Sequence, residues 1–219
     1  MLTRTMLQDE METLRRELTR MAARVDENLG RSIAILKTGD GGLADEVKEC
    51  GTIIDGMQLK IEDMALVIIA TQQPVARDLR ELIMVFKLTS SLERIDDYGI
   101  HLTKAAIKLS DRPAFRSMER IERMAETGRQ MLTAAFQAYL AQDVVAARNA
   151  AALDEQIDAE HKALTGEALA FIKEKPKLVK AASRLLRLSG YMERLGDHIT
   201  NICEGVIYMV LGSHEELNR

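Results

Sequence analysis

Apolar residues recur along this chain at alternating intervals of three and four, and no stretch shows the period-two alternation of a half-buried strand. One clear stripe runs Met11, Leu14, Leu18, Met21, Val25, Asn28, Ser32, Ile35; another runs Leu185, Leu188, Met192, Leu195, Ile199, Ile202, Val206, Met209. Each places a mostly apolar seam on one face of a helix. Interruptions in the pattern set the helix lengths. The stretches Gly39 to Gly42 and Ala141 to Asp143 read as turns. The three prolines, Pro74, Pro113 and Pro176, each precede a periodic run, and proline suits the first turn of a helix but not its interior. The pattern predicts six helices, near 2–37, 43–70, 74–110, 114–141, 144–172 and 176–211.

Near-heptad seams joined by short loops predict antiparallel three-helix bundles with coiled-coil-like packing. The two halves of the chain also match. Asp40 precedes Ile54-Asp55 by the same spacing that separates Asp143 from Ile157-Asp158, Pro74 aligns with Pro176, and Glu93-Arg94-Ile95-x-Asp97 aligns with Glu193-Arg194-Leu195-x-Asp197. The expected architecture is all-α, two tandem three-helix units spanning 1–111 and 112–219 and related by an internal repeat.

The repeated segment carries a local penalty. Glu93 and Asp97, like Glu193 and Asp197, lie four residues apart, where like charges share a helix face and cost an isolated helix roughly 0.2 to 0.5 kcal/mol per pair. Further acids join them across each hairpin. Asp55 lies 19 residues before Pro74 and Glu93 lies 19 after it; Asp158 lies 18 before Pro176 and Glu193 lies 17 after. At a rise of about 1.5 Å per residue both arms travel about 25 to 29 Å, so their carboxylates return to one level. Asp154 adds another acid in the second unit, where the first has Gly51, so the second unit is expected to be the more acidic. Every one of these positions follows a seam residue directly or lies one turn from one that does, which predicts clusters flanking the core and open to solvent.

Carboxylates about 4 Å apart repel by around 1 kcal/mol in water and nearer 4 at an intermediate dielectric. Protonation, an arginine or a bound cation could compensate. Arg94 and Arg194 sit beside the glutamates but about 100° around the helix from them, where they would screen without filling the site. Oxygen-only donors suit hard cations such as magnesium, calcium, manganese or ferric iron, with zinc as a further candidate. The expected ligands are Asp55, Glu93 and Asp97 in the first unit and Asp154, Asp158, Glu193 and Asp197 in the second.

Composition narrows the classes. A content of 47% hydrophobic residues with only 4% aromatics and no Trp supplies an aliphatic core suited to helix bundles. The net charge of -4, with both signs intermixed, leaves no basic field for nucleic acid. Cys50 and Cys203 have no partner spacing and the opening residues lack a signal peptide's apolar core, so a reduced, cytoplasmic protein is expected. The longest apolar run, Met64 to Ala70, is far below the roughly 18 residues of a membrane span, so membrane association would go through a partner.

The segments ERIDD at Glu93 to Asp97, ERLGDHITNICE at Glu193 to Glu204 and QQPVARDLR at Gln72 to Arg80 resemble the signatures of the PhoU family of phosphate-signalling regulators, over essentially the whole chain. The resemblance implies a cytoplasmic negative regulator of phosphate-starvation signalling and phosphate uptake, peripheral to the inner membrane. It implies work between a phosphate-specific ABC transporter and a sensor histidine kinase, in a protein commonly dimeric. It further implies that metal ions or iron clusters bind at the acids matching Asp55, Glu93, Asp97, Asp154, Asp158, Glu193 and Asp197. The chain departs from the family where Gly51 replaces an acid and Asp96 stands at the position of Gly196 in the other copy, which makes the second site the more complete.

Two rivals share the helical, acid-rich pattern. A ferritin-like di-iron enzyme requires Glu-x-x-His on two helices facing a bundle interior, and only Asp158-x-x-His161 approaches it. A structural adaptor could use the same acids to dock basic loops without metal. His101 and His198 are read as flank residues, Met57, Met84, Met192 and Met209 as core filler, and Cys203 as buried. No nucleophile-base pair or glycine-rich phosphate loop points to catalysis.

Overall fold

A computed structural model of the chain describes residues 2–109 and 117–217. The described residues form helices α1 (Leu2–Thr38), α2 (Ala44–Gln72), α3 (Ala76–Leu109), α4 (Ser117–Ala141), α5 (Val144–Ala151), α6 (Asp154–Glu174) and α7 (Val179–Leu211), and no strand occurs among them. Pro113 and the unit boundary at 111 and 112 lie outside the described residues.

The fifth expected helix is divided into α5 and α6. The amide of Leu153 donates to the carbonyl of Ala150 at 3.2 Å and that of Gln156 to Leu153 at 3.1 Å, a local tightening from four-residue to three-residue bonding. Ala152 and Leu153 nevertheless keep right-handed helical dihedrals, so the two pieces continue one path. Pro74 also differs from expectation. Gln73 caps α2 in the left-handed region (φ 49°), and α3 begins only at Ala76, so Pro74 lies in the turn after a helix end rather than inside the next helix. Pro176 opens a 3-10 turn that leads into α7. Asp40 and Asp143 both act as caps, and the Asp143 carboxylate accepts from the amides of Val145 and Ala146.

Helices α1, α2 and α3 pack on one another, as do α4, the α5–α6 pair and α7, and short connections make consecutive neighbours antiparallel. Every seam residue named above is buried, including polar Asn28 and Ser32. Each fully buried Leu or Ile contributes about 1.5 to 3 kcal/mol relative to exposure. The units are not separated by water. Their most extensive contact is α3 on α7, α1 also lies on α4, and the main apolar cluster runs continuously from Leu18 and Ile54 through Leu88 to Leu132, Ile157 and Leu195. The α3–α7 pairing is antiparallel. Tyr98 meets His198, His101 meets Tyr191, and Met84 fills the space over Gly205.

Candidate functional site

Seam geometry fixes where the acids fall. Ile54, Leu92, Ile157 and Met192 are buried, and the residue after each, Asp55, Glu93, Asp158 and Glu193, emerges at the edge of the core. The hairpin count holds in both units. Asp55 on α2 raises the pKa of Glu93 and Asp96 on α3, and Asp158 on α6 raises those of Glu193 and Asp197 on α7. Burial is the first cause of each rise and neighbouring carboxylates add to it. In the second unit, Asp154, Asp158, Glu193 and Asp197 line one cleft of about 690 Å³, which Glu216 and Leu217 also line. Arg148 pairs with Glu215 at 2.8 Å and the Leu217 amide donates to Glu204 Oε1 at 2.8 Å, which holds residues 215–217 beside the cleft.

The clusters are not uniformly open to solvent. Asp55 and Asp158 are exposed and Glu93, Asp97, Glu193 and Asp197 half-buried, but Asp154 is only 6% exposed and its pKa is pushed up to about 7, mainly by desolvation. Thr200 donates to Asp154 Oδ2 at 3.3 Å, whereas Oδ1 is buried with no hydrogen-bond partner.

The first unit has a buried carboxylate of its own. Asp96, 3% exposed, also has its pKa pushed up to about 7 by burial, opposed by the Asn28 amide, which donates to Oδ1 at 2.7 Å. The glycines explain the exchange. A Cβ on Gly51 would lie 3.0 Å from Asp96 Oδ2 and 2.6 Å from Ile100 Cδ1, and a Cβ on Gly196 would lie 2.0 Å from Asp154 Oδ1. Each unit thus buries one aspartate against one glycine, with the donor helix switched: α3 in the first, α6 in the second. The expectation that the second unit is the more acidic is therefore corrected, since Asp55, Glu93, Asp96 and Asp97 number four, as do Asp154, Asp158, Glu193 and Asp197. Asp96 was legible in sequence only as a departure from the repeat, because its partnership with Gly51 crosses between helices.

Arg94 also behaves differently from expectation. Its guanidinium curls back to within 3.5 Å of Glu93 Oε2 and 3.7 Å of Asp97 Oδ2 and so partly fills the first cluster. No three His, Cys, Asp or Glu side chains among the described residues converge as closely as a ready-made metal shell requires. The donor chemistry nonetheless fits a hard cation, with oxygen donors gathered from two helices and an orphaned buried oxygen on Asp154. The remaining chemistry is quiet. His161 hydrogen-bonds Ser189 Oγ at 2.8 Å, Cys203 is fully buried with its thiol pushed up to about 12 by desolvation, and Met84, Met192 and Met209 are core.

Comparison with known proteins places this arrangement. The family model described as the PhoU domain matches twice, over residues 18–106 and 121–206. A phosphate-specific transport system accessory protein PhoU homolog of Clostridium acetobutylicum is 29% identical over 218 residues, covering 99% of this chain and 100% of that protein. The crystal structure of PhoU from Pseudomonas aeruginosa matches with a TM-score of 0.89 at 29% identity, covering 94% of this chain and 99% of that one. That of the phosphate transport system regulatory protein PhoU from Streptococcus pneumoniae matches with a TM-score of 0.88 at 26% identity, covering 96% and 100%.

Proposed function

The chain belongs to the PhoU family, and we propose that it is a negative regulator of phosphate-starvation signalling and phosphate uptake that acts by binding rather than by catalysis. Its relatives' names tie them to phosphate transport as accessory and regulatory proteins. In this reading the protein is cytoplasmic, a homodimer, and held at the inner membrane only through its partners, a phosphate-specific ABC transporter and a sensor histidine kinase. No helix among the described residues is long and apolar enough to cross a membrane, in keeping with peripheral attachment.

The observation that carries the mechanism is the pair of equivalent four-carboxylate clusters, each assembled from two helices of one unit. In our reading each would hold a divalent or trivalent ion, through Asp55, Glu93 and Asp97 with the buried Asp96 behind them in the first unit, and through Asp154, Asp158, Glu193 and Asp197 in the second. The bound cation supplies positive charge that offsets their mutual repulsion. To hold an ion, the exposed side chains Asp55 and Asp158 would have to turn inward, and Arg94 would have to leave Glu93 and Asp97. One feature favours a rival. Arg94 already places a guanidinium beside Glu93 and Asp97, which supports docking of a partner's basic loop there without metal.

The test is binding of the protein to the transporter's cytoplasmic nucleotide-binding subunit and to the kinase's cytoplasmic part, measured with chelated and with metal-loaded protein. Binding to both partners, altered by metal and lost with Asp97→Asn/Asp197→Asn, is the expected result. Absence of binding to either partner in both states would overturn the proposal. Metal-independent binding lost in the same variant would transfer it to the docking reading.

A further inference from the structure

Close to the contact between His101 and Tyr191, a second cleft opens between α3 and α7. It has a volume of about 430 Å³ and is lined by His101, Lys104 and Lys108 from α3 and by Arg184, Arg187 and Tyr191 from α7. Among the described residues no carboxylate lines it, and none of the four Lys and Arg side chains forms an ion pair. On a chain whose net charge is -4, four cations gathered around one small concavity repel one another, a cost that a bound anion would offset. The positions form a helical stripe on each side, at 101, 104 and 108 on one helix and 184, 187 and 191 on the other, so both rows face the same gap. His101 Nδ1 lies 2.6 Å from the Asp97 carbonyl and donates to it, which leaves Nε2 available.

The repeat supplies an internal control. The offset that carries Glu93 onto Glu193, one hundred residues, carries this lining onto that of another cleft at the same helix pair. His101 maps to Asn201, Lys104 to Glu204, Lys108 to Tyr208, Arg187 to Lys87 and Tyr191 to Ser91; Asn201, Glu204, Tyr208, Lys87 and Ser91 all line that other cleft, together with Glu215 and Glu216. The two clefts therefore follow from the fold itself. Cations crowd only one of them, while the other is mixed in charge and bordered by an acidic tail. Packing two units back to back does not by itself demand a basic cleft.

We propose that the cleft between α3 and α7 lined by Lys104, Lys108, Arg184 and Arg187 binds a small, multiply charged phosphate anion. Its volume falls within the range of small-ligand sites, about 300 to 1,000 Å³. Arginine presents a planar fork of donors matched to phosphoryl oxygens and lysine adds compact positive charge. The phosphoryl group could belong to a free compound such as pyrophosphate or a nucleotide, or to an anionic lipid headgroup. None of the acids proposed as metal ligands lines this cleft, so the inference stands or falls separately from the proposed function.

The probes are inorganic pyrophosphate, titrated calorimetrically into chelator-treated full-length protein at low and at physiological salt, and phosphatidylglycerol vesicles in a sedimentation assay. One saturable pyrophosphate site per chain is expected, weakened by salt. Lys104→Gln and Arg187→Gln should each weaken it by about tenfold or more, while Lys87→Gln in the opposite cleft leaves it unchanged. All three side chains are on the surface, so circular dichroism should show all variants folded. Vesicle binding lost in the same two variants, without pyrophosphate binding, would assign the site to a lipid headgroup. No saturable binding of either probe, or equal weakening by Lys87→Gln, would overturn the proposal.

Discussion

Gly196 has no room for a side chain because Asp154 occupies the space, and Gly51 is confined in the same way by Asp96 and Ile100. This reciprocal pairing makes a specific exchange testable. Gly51→Asp alone would press a carboxylate against Asp96 and should destabilise the fold by about 2 kcal/mol or more. Adding Asp96→Gly recreates the arrangement of the second unit and should restore most of the loss in denaturant unfolding. A double variant no more stable than the single would contradict the pairing. The same buried carboxyls set a pH dependence. Their pKa values rise from 3.8 to about 7 on folding, so between about pH 4 and pH 7 the native state holds protons that the unfolded state has released. Stability of the metal-free protein therefore falls as pH rises through that window, by at most about 4 kcal/mol per group. Asp96→Asn and Asp154→Asn should each flatten the profile and gain stability near pH 8; profiles as steep as the parent's would show that these groups do not titrate there. The ExxxD acids could be read from their repetition along the chain. Asp96 could not, since its significance depends on a glycine 45 residues away on another helix.

At the scale of elements, the stripes of three and four residues specified the helices because every seam position faces the core, and even Asn28 has a reason to be there in its bonds to Asp96 and the Val47 carbonyl. What periodicity could not show is hydrogen-bond register. The switch to three-residue bonding between α5 and α6 leaves the apolar stripe nearly intact, and the placement of Pro74 depends on the left-handed Gln73 before it. The start of α5 depends on one cap. Asp143→Ala removes the acceptor for two amides and should cost about 1 kcal/mol in thermal or chemical unfolding, with Asp143→Ser recovering most of it. An unchanged stability on Asp143→Ala would mean that packing alone holds this turn.

For the whole molecule, the repeat has produced two units that share one core instead of standing as beads. The α3–α7 contact and the Asp26–Arg129 pair, at 2.8 Å between α1 and α4, join them. Calorimetry of the metal-free protein should show a single unfolding transition, and Gly205→Leu, forced against Met84 at that contact, should lower it as one peak instead of splitting it. Two resolved transitions in the parent would show that the units melt independently. The same doubling underlies the functional account, in which two equivalent carboxylate clusters each hold a cation. Elemental analysis of tag-free protein purified without chelator, beside Asp97→Asn/Asp197→Asn, tests that claim most directly. Metal at both units in the parent and its loss in the variant, with both proteins equally folded, is the expected result. A parent without metal, or a variant that keeps it all, would mean that these carboxylates do not hold a cation.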